Sequence, residues 1–98
     1  MYDPKYYQDL SVAQIAQKVR DEGFDPIRIA DPPGSVYSPH THPETKLLAF
    51  LDGAMTVTVR GETFRCSPGG KLLIPGNVEH SATAGPEGCV YFWSEKLV

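Results

Sequence analysis

The chain has 98 residues, enough for one domain with a single thin hydrophobic core. Its 41% apolar and 21% charged content is ordinary for a soluble globular protein. A formal charge of −3, with nine Lys and Arg scattered rather than clustered, argues against nucleic acid as the main partner.

The N-terminus has no apolar stretch of signal-peptide length. The longest uninterrupted apolar run, Leu47 to Leu51, is far too short to span a bilayer, so the expected location is cytoplasmic with no membrane partner. Residues 1 to 10 read as a tyrosine-rich arm carrying Tyr2, Tyr6 and Tyr7. A helix is predicted next. Ser11 is its N-cap, Gln14 completes a capping box, and Leu10 is placed to staple onto Ile15. Val12, Ile15, Ala16 and Val19 fall on one face, which is expected to pack against the rest of the domain. Gly23 stands at the left-handed cap position, with Phe24 folding back on the last turn.

From residue 26 to residue 98 short extended segments alternate with turn signals. These are Pro32-Pro33-Gly34, Asp52-Gly53, Arg60-Gly61, Pro68-Gly69-Gly70, Pro75-Gly76-Asn77 and Gly85-Pro86-Glu87-Gly88. Asp52-Gly53 predicts a hairpin between Leu47–Leu51 and Met55–Val59. Met55, Val57 and Val59 alternate with Thr56, Thr58 and Arg60, the mark of a half-buried strand. The expected fold class is all-β: a small antiparallel sandwich or barrel with a short N-terminal α-helix. Cys66 and Cys89 form no CxxC pair and are expected to be reduced, with Cys66 buried at a strand end. Alternation lets only some of Tyr91, Phe92 and Trp93 face the barrel interior.

The chemistry centres on three histidines. His40 and His42 form a His-x-His pair in an extended stretch, and residues two apart on a strand face the same way. His80, after the Pro75-Gly76-Asn77 turn, can complete a facial set around a metal ion. No histidine then remains for a Ser-His-Asp or Cys-His arrangement.

These residues resemble the cupin family. Its first motif is matched in spacing by Gly34, His40, His42, position 46 and Gly53, and its second by Gly69, Pro75, Asn77 and His80. The resemblance covers residues 34 to about 84 and implies a jelly-roll barrel. It also implies one divalent transition metal (Fe, Zn, Ni, Cu or Mn) on His40, His42 and His80. Two positions depart from the pattern: Lys46 replaces the usual glutamate ligand, and Ala84 the usual asparagine. Glu44 shares the parity of 40, 42 and 46, and can approach the metal if the strand bends at Pro43.

Three neutral imidazoles leave the charge of a divalent ion uncompensated, and a charged Lys46 at ~6 Å adds a repulsion of about 5 kcal/mol at an effective dielectric of 20. Lys46 is therefore expected to lose its proton, to swing to the barrel mouth, to pair with Glu44 at the rim, or to hold an anionic ligand beside the metal. The last makes it the candidate catalytic residue. Three-histidine cupins similar to this chain include iron dioxygenases, isomerases, and stress or sensing proteins. The leading expectation is a metal-dependent enzyme, dioxygenase-type or isomerase-type, acting on a small anionic substrate. The alternative is a non-catalytic small-molecule-binding or sensing cupin, which would lack the helix needed to bind DNA. A homodimer is expected, because the small core, the aromatic arm and the apolar helix face favour burial against a second copy.

Overall fold

The computed structural model describes residues 1–97. Val98, the last residue of the expected barrel span, lies outside the described residues. The elements in chain order are β1 (Tyr2–Asp3), α1 (Val12–Asp21), β2 (Ile27–Asp31), β3 (Val36–His40), β4 (Thr45–Val59), β5 (Glu62–Cys66), β6 (Lys71–Ile74) and β7 (His80–Lys96). All strand pairs are antiparallel, as expected. The N-terminal arm is more ordered than its composition suggests: Tyr2–Asp3 forms a strand against β6.

Strands β4 and β7 are the frame. They pair from Thr45↔Lys96 to Val59↔His80. One half of this ribbon carries the order β1-β6-β4-β7-β2, while β5 and β3 extend its other half. Leu48 and Phe50 from the first half share one buried cluster with Met55, Val57 and Val59 from the second. The ribbon is thus folded over on itself, and the fold is an antiparallel jelly-roll barrel.

The fold-over corrects the Asp52-Gly53 reading. No hairpin forms there: both flanks belong to β4, and each pairs with β7. The register slips at Phe50/Asp52 and Gly53/Met55, so the strand bends without reversing. Gly85-Pro86-Glu87-Gly88 behaves in the same way inside β7, opposite the same point of β4. The reason lies at Gly53 and Gly88, both in the left-handed region (φ +72° and +77°). A Cβ at Gly53 would lie 2.2 Å from the Gly88 carbonyl oxygen. The two signals mark one corner where backbones touch. A true two-residue turn occurs at Arg60-Gly61 (φ +52° and +80°), between the Val59↔Glu62 pair.

Helix α1 follows its sequence signals closely. The Ser11–Gln14 capping box is formed in both directions, at 3.1 and 2.8 Å. At the other end Gly23 N–H donates to the Arg20 carbonyl and Phe24 N–H to that of Val19. This is the double closure of a left-handed cap, with Gly23 at φ +88°. Ile15, Ala16 and Val19 pack with Tyr7, Phe24, Leu47, Ala49 and Phe92 in a second core on the outside of the barrel. The run Leu47–Leu51 is continuously apolar for this reason: Leu48 and Phe50 face the interior, Leu47, Ala49 and Leu51 the helix. The stripe is used up within the chain, and only Val12 stays exposed. The helix face therefore does not favour a second copy. Glu22 ties the layers together by accepting from Tyr6, Tyr7 and Lys71.

Cys66 and Cys89 are free and buried. Burial pushes the Cys66 thiol up to about 12 and the Cys89 thiol up to about 11, which leaves both unreactive at neutral pH.

The corner supplies a test. Gly53→Ala and Gly34→Ala both place a Cβ at positive φ, but at Gly34 nothing lies within 4 Å. Urea unfolding is expected to show a loss of about 1 kcal/mol for Gly34→Ala. Gly53→Ala should lose at least about 3 kcal/mol, because strain and overlap add. Equal losses would remove the close approach from the explanation.

Candidate metal centre

The fold-over brings distant positions to one end of the barrel. His40 pairs with His80 across β3 and β7, and Val59 pairs with His80 across β4 and β7. The β6–β7 turn is docked on the loop after β3. Asn77 takes φ +62° and its N–H donates to the His42 carbonyl at 2.6 Å. Gly76 N–H donates to Thr45 Oγ1, and a Cβ at Gly76 would lie 2.3 Å from the Pro43 carbonyl oxygen. Pro75-Gly76-Asn77 therefore acts as a clamp that sets His80 beside His40 and His42. Asn, whose short polar side chain tolerates the left-handed region, serves where a glycine is usual.

The three imidazoles meet, although β3 ends at His40 and His42 lies in the loop that follows. Ring centroids lie 4.6 Å apart for His40–His42, 4.3 Å for His40–His80 and 5.5 Å for His42–His80. One nitrogen from each falls within 4.8 Å of the others. His40 Nδ1 lies 2.5 Å from the Ser38 carbonyl oxygen, and His80 Nδ1 lies 2.9 Å from that of Val78. A carbonyl only accepts, so both rings carry their proton on Nδ1 and leave Nε2 as the free donor atom. Backbone partners of this kind fix ring orientation in metal sites. Desolvation is the largest cause holding His42 and His80 below the ordinary imidazole value, and the positive charge of Lys46 adds to it. Neutral rings with exposed lone pairs are what a transition metal requires.

His40, His42, Glu44 and Lys46 all line one cavity, although β3 ends at His40 and β4 begins at Thr45, so no single strand sets their parity. Its volume is about 570 Å³, and it also takes in Tyr37, Tyr91, Trp93 and Glu95. Glu44 lies at the wall but outside the three-histidine cluster. Lys46 is buried, with its side chain in the cavity wall. Its partner corrects the expected rim pair. Lys46 Nζ donates to Glu95, not Glu44, and stands 4.5 Å from the centroid of the Trp93 ring. The cause is register: Lys46 faces Glu95 directly across β4 and β7, whereas Glu44 precedes the strand.

Glu95 carries no site signal in the sequence and alternation leaves the facing of Trp93 open, because only the β4–β7 pairing brings both to Lys46. Tyr91 and Trp93 face the cavity while Phe92 faces the helix layer. Alternation predicts such a split but not its phase. Tyr37 and Tyr91 each donate at 2.8 Å to one oxygen of Asp31. Burial and this carboxylate raise the Tyr91 hydroxyl far above its usual range, so it stays protonated.

The lowered histidines give a sign for pH dependence. Where the folded pKa lies below the ordinary 6.5, the unfolded chain takes the proton first. The stabilisation is complete above about 6.5 and is lost as pH falls below it. Thermal unfolding of metal-free protein should therefore fall in midpoint between pH 7 and pH 5, and less steeply for His80→Gln. Parallel curves for the two proteins would show that His80 carries none of the effect.

Comparison with known proteins agrees with this architecture. A family model described as the AraC-like ligand binding domain matches residues 27–95. The dimethylsulfoniopropionate lyase DddW of Ruegeria pomeroyi is 39% identical over 56 residues, covering 57% of this chain and 37% of the lyase. The HTH-type transcriptional regulator NimR of Escherichia coli is 31% identical over 93 residues, covering 93% of this chain and 30% of the regulator. The chain thus spans about a third of the length of these curated relatives. Among solved structures, a cupin-like protein from Thermotoga maritima superposes with a TM-score of 0.68 at 25% identity, covering 76% of this chain and 58% of that one. From its fold and the extent of the family match, the chain belongs to the AraC-like ligand binding domain family, within the cupin superfamily.

Proposed function

We propose that the chain binds a small anionic organic molecule at a metal centre, with one divalent transition metal held by His40, His42 and His80. The observation that carries this reading is the convergence of three imidazole nitrogens, two with their tautomer fixed by backbone carbonyls, on the wall of a roomy cavity. Three protein ligands leave coordination positions open, the pattern of sites that bind or transform a ligand. The bound ion would supply Lewis acidity toward an oxygen, nitrogen or sulfur donor of that ligand.

The protein's own groups do the rest. Lys46 lines the same cavity as the imidazoles, with Glu95 compensating its charge and Trp93 stacked on it. In this reading it orients the polar end of the ligand and can deliver a proton to it. Tyr37 and Tyr91 are locked by Asp31 and shape the wall. Turnover draws support from the lyase relative, matched over 57% of the chain. It would make the chain a metal-dependent enzyme, with Lys46 as catalytic residue. Sensing draws support from the family itself and from the regulator relative, matched over 93% of the chain. Ligand binding is common to both.

Elemental analysis of protein purified without an affinity tag should give about one transition-metal ion per chain. His42→Ala should weaken metal binding by at least about 100-fold while the barrel remains folded. Metal should also leave as pH falls below about 6.5, since protons compete for the imidazoles. Full metal content in His42→Ala, or at pH 4, would reject the three-histidine centre.

Glu95→Gln tests the ion pair separately. It leaves the buried Lys46 ammonium without its carboxylate, so it should weaken metal binding and destabilise the metal-free protein, the latter by about 1 kcal/mol because Glu95 is partly open to solvent. A calorimetric titration and a urea curve read both. No change in either would reduce the pair to a surface contact.

A further inference from the structure

The cavity is polarised along its length. From the end opposite the Gly53 corner, the β4–β7 register runs Lys46↔Glu95, Leu48↔Trp93, Phe50↔Tyr91 on one side of the folded ribbon. On the other side it runs Val59↔His80, Val57↔Ala82, Met55↔Ala84. Because the ribbon folds at Gly53, both series begin at the same end. All the charged and metal-ligating side chains of the wall stand there, whereas the deeper wall is built from Leu48, Met55, Val57 and the Tyr91 ring. The hydroxyl proton of Tyr91 is committed to Asp31, so this part offers a ligand little hydrogen bonding.

Charge at the polar end is countable. Lys46 and Glu95 cancel. A divalent ion on three neutral imidazoles contributes two positive charges, and Glu44 answers one of them. One negative charge is left to be supplied.

From this geometry we infer the ligand class: a monoanion, such as a monocarboxylate, whose body is apolar and lies over Leu48, Met55 and Val57 with its charged head at the histidines. The inference rests on the metal-centre reading above and adds the ligand's chemistry to it. Polyols are disfavoured because their hydroxyls would be desolvated without partners, and dianions because the second charge has no counterpart.

Trp93 is the one tryptophan of the chain and lines the cavity, so its fluorescence reports occupancy. Zinc-loaded protein would be titrated with four six-carbon compounds: hexanoate, gluconate, adipate and hexan-1-ol. Hexanoate is expected to bind at least about tenfold more tightly than any of the others. Met55→Gln should weaken hexanoate several-fold without changing zinc stoichiometry, and Val57→Thr, nearly equal in volume, makes the same test should the first variant not fold. Zinc content is measured first. Absence of zinc uptake would overturn the metal centre itself. Zinc uptake with gluconate or adipate binding as tightly as hexanoate would overturn the ligand class alone, as would hexanoate affinity unchanged in the folded variants.

Discussion

The structure depends on one constraint: β4 and β7 pair on both sides of a shared corner and bend together where Gly53 meets the Gly88 backbone. A side chain at Gly53 would occupy the place of the Gly88 carbonyl oxygen, so the corner exists only because both positions lack a Cβ and accept positive φ. Folding the ribbon there lays its two halves face to face and closes the core. It also carries Lys46, near the start of β4, and His80, opposite the end of β4, to the same end of the barrel. Without the bend these groups would sit at opposite ends of a flat sheet.

The site inherits its electrostatics from the same pairing. A lysine replaces the glutamate that the cupin motif usually provides, and a carboxylate stands directly across the ladder at Glu95. The local charge is balanced, but the carboxylate has moved from the ligand position to a neighbouring strand. Only the lysine of this pair is buried, and the partly exposed Glu95 moderates both the desolvation cost and the attraction. Trp93 further fixes the ammonium by covering it with a ring face. The arrangement places a neutralised lysine, and not a metal-binding carboxylate, in the cavity wall that carries the three imidazoles.

The outer layer has a separate role. Helix α1 and the N-terminal arm cover the face of the sheet that points away from the cavity, through Ile15, Val19 and Tyr7. The capping box, the left-handed cap at Gly23 and the Glu22 cluster hold this layer in register. A chain this small gains much of its buried surface from that second core. The chemistry of a cupin is set by what lines the barrel, not by the fold.

Local features of the sequence determined a great deal. The capping box, the buried positions of the α1 stripe and the alternation of Met55, Val57 and Val59 are short-range patterns, and each appears in the structure as its periodicity dictates. His40 and His42 do converge, but His42 lies in the loop after β3 and is placed by the turn that docks on it. Three histidines in two cupin-like motifs were enough to indicate the cluster. Tertiary structure alone decided that Asp52-Gly53 is a corner and not a hairpin, because an Asp-Gly step suits either, and only contact with Gly88 selects the bend. It decided that Lys46 meets Glu95 and not Glu44, because 49 residues separate the partners and only cross-strand register joins them. It also set the phase by which Tyr91 and Trp93 enter the cavity and Phe92 the helix layer. A strand's period of two is written in its own residues, but which face becomes the inside depends on the elements that pack against it.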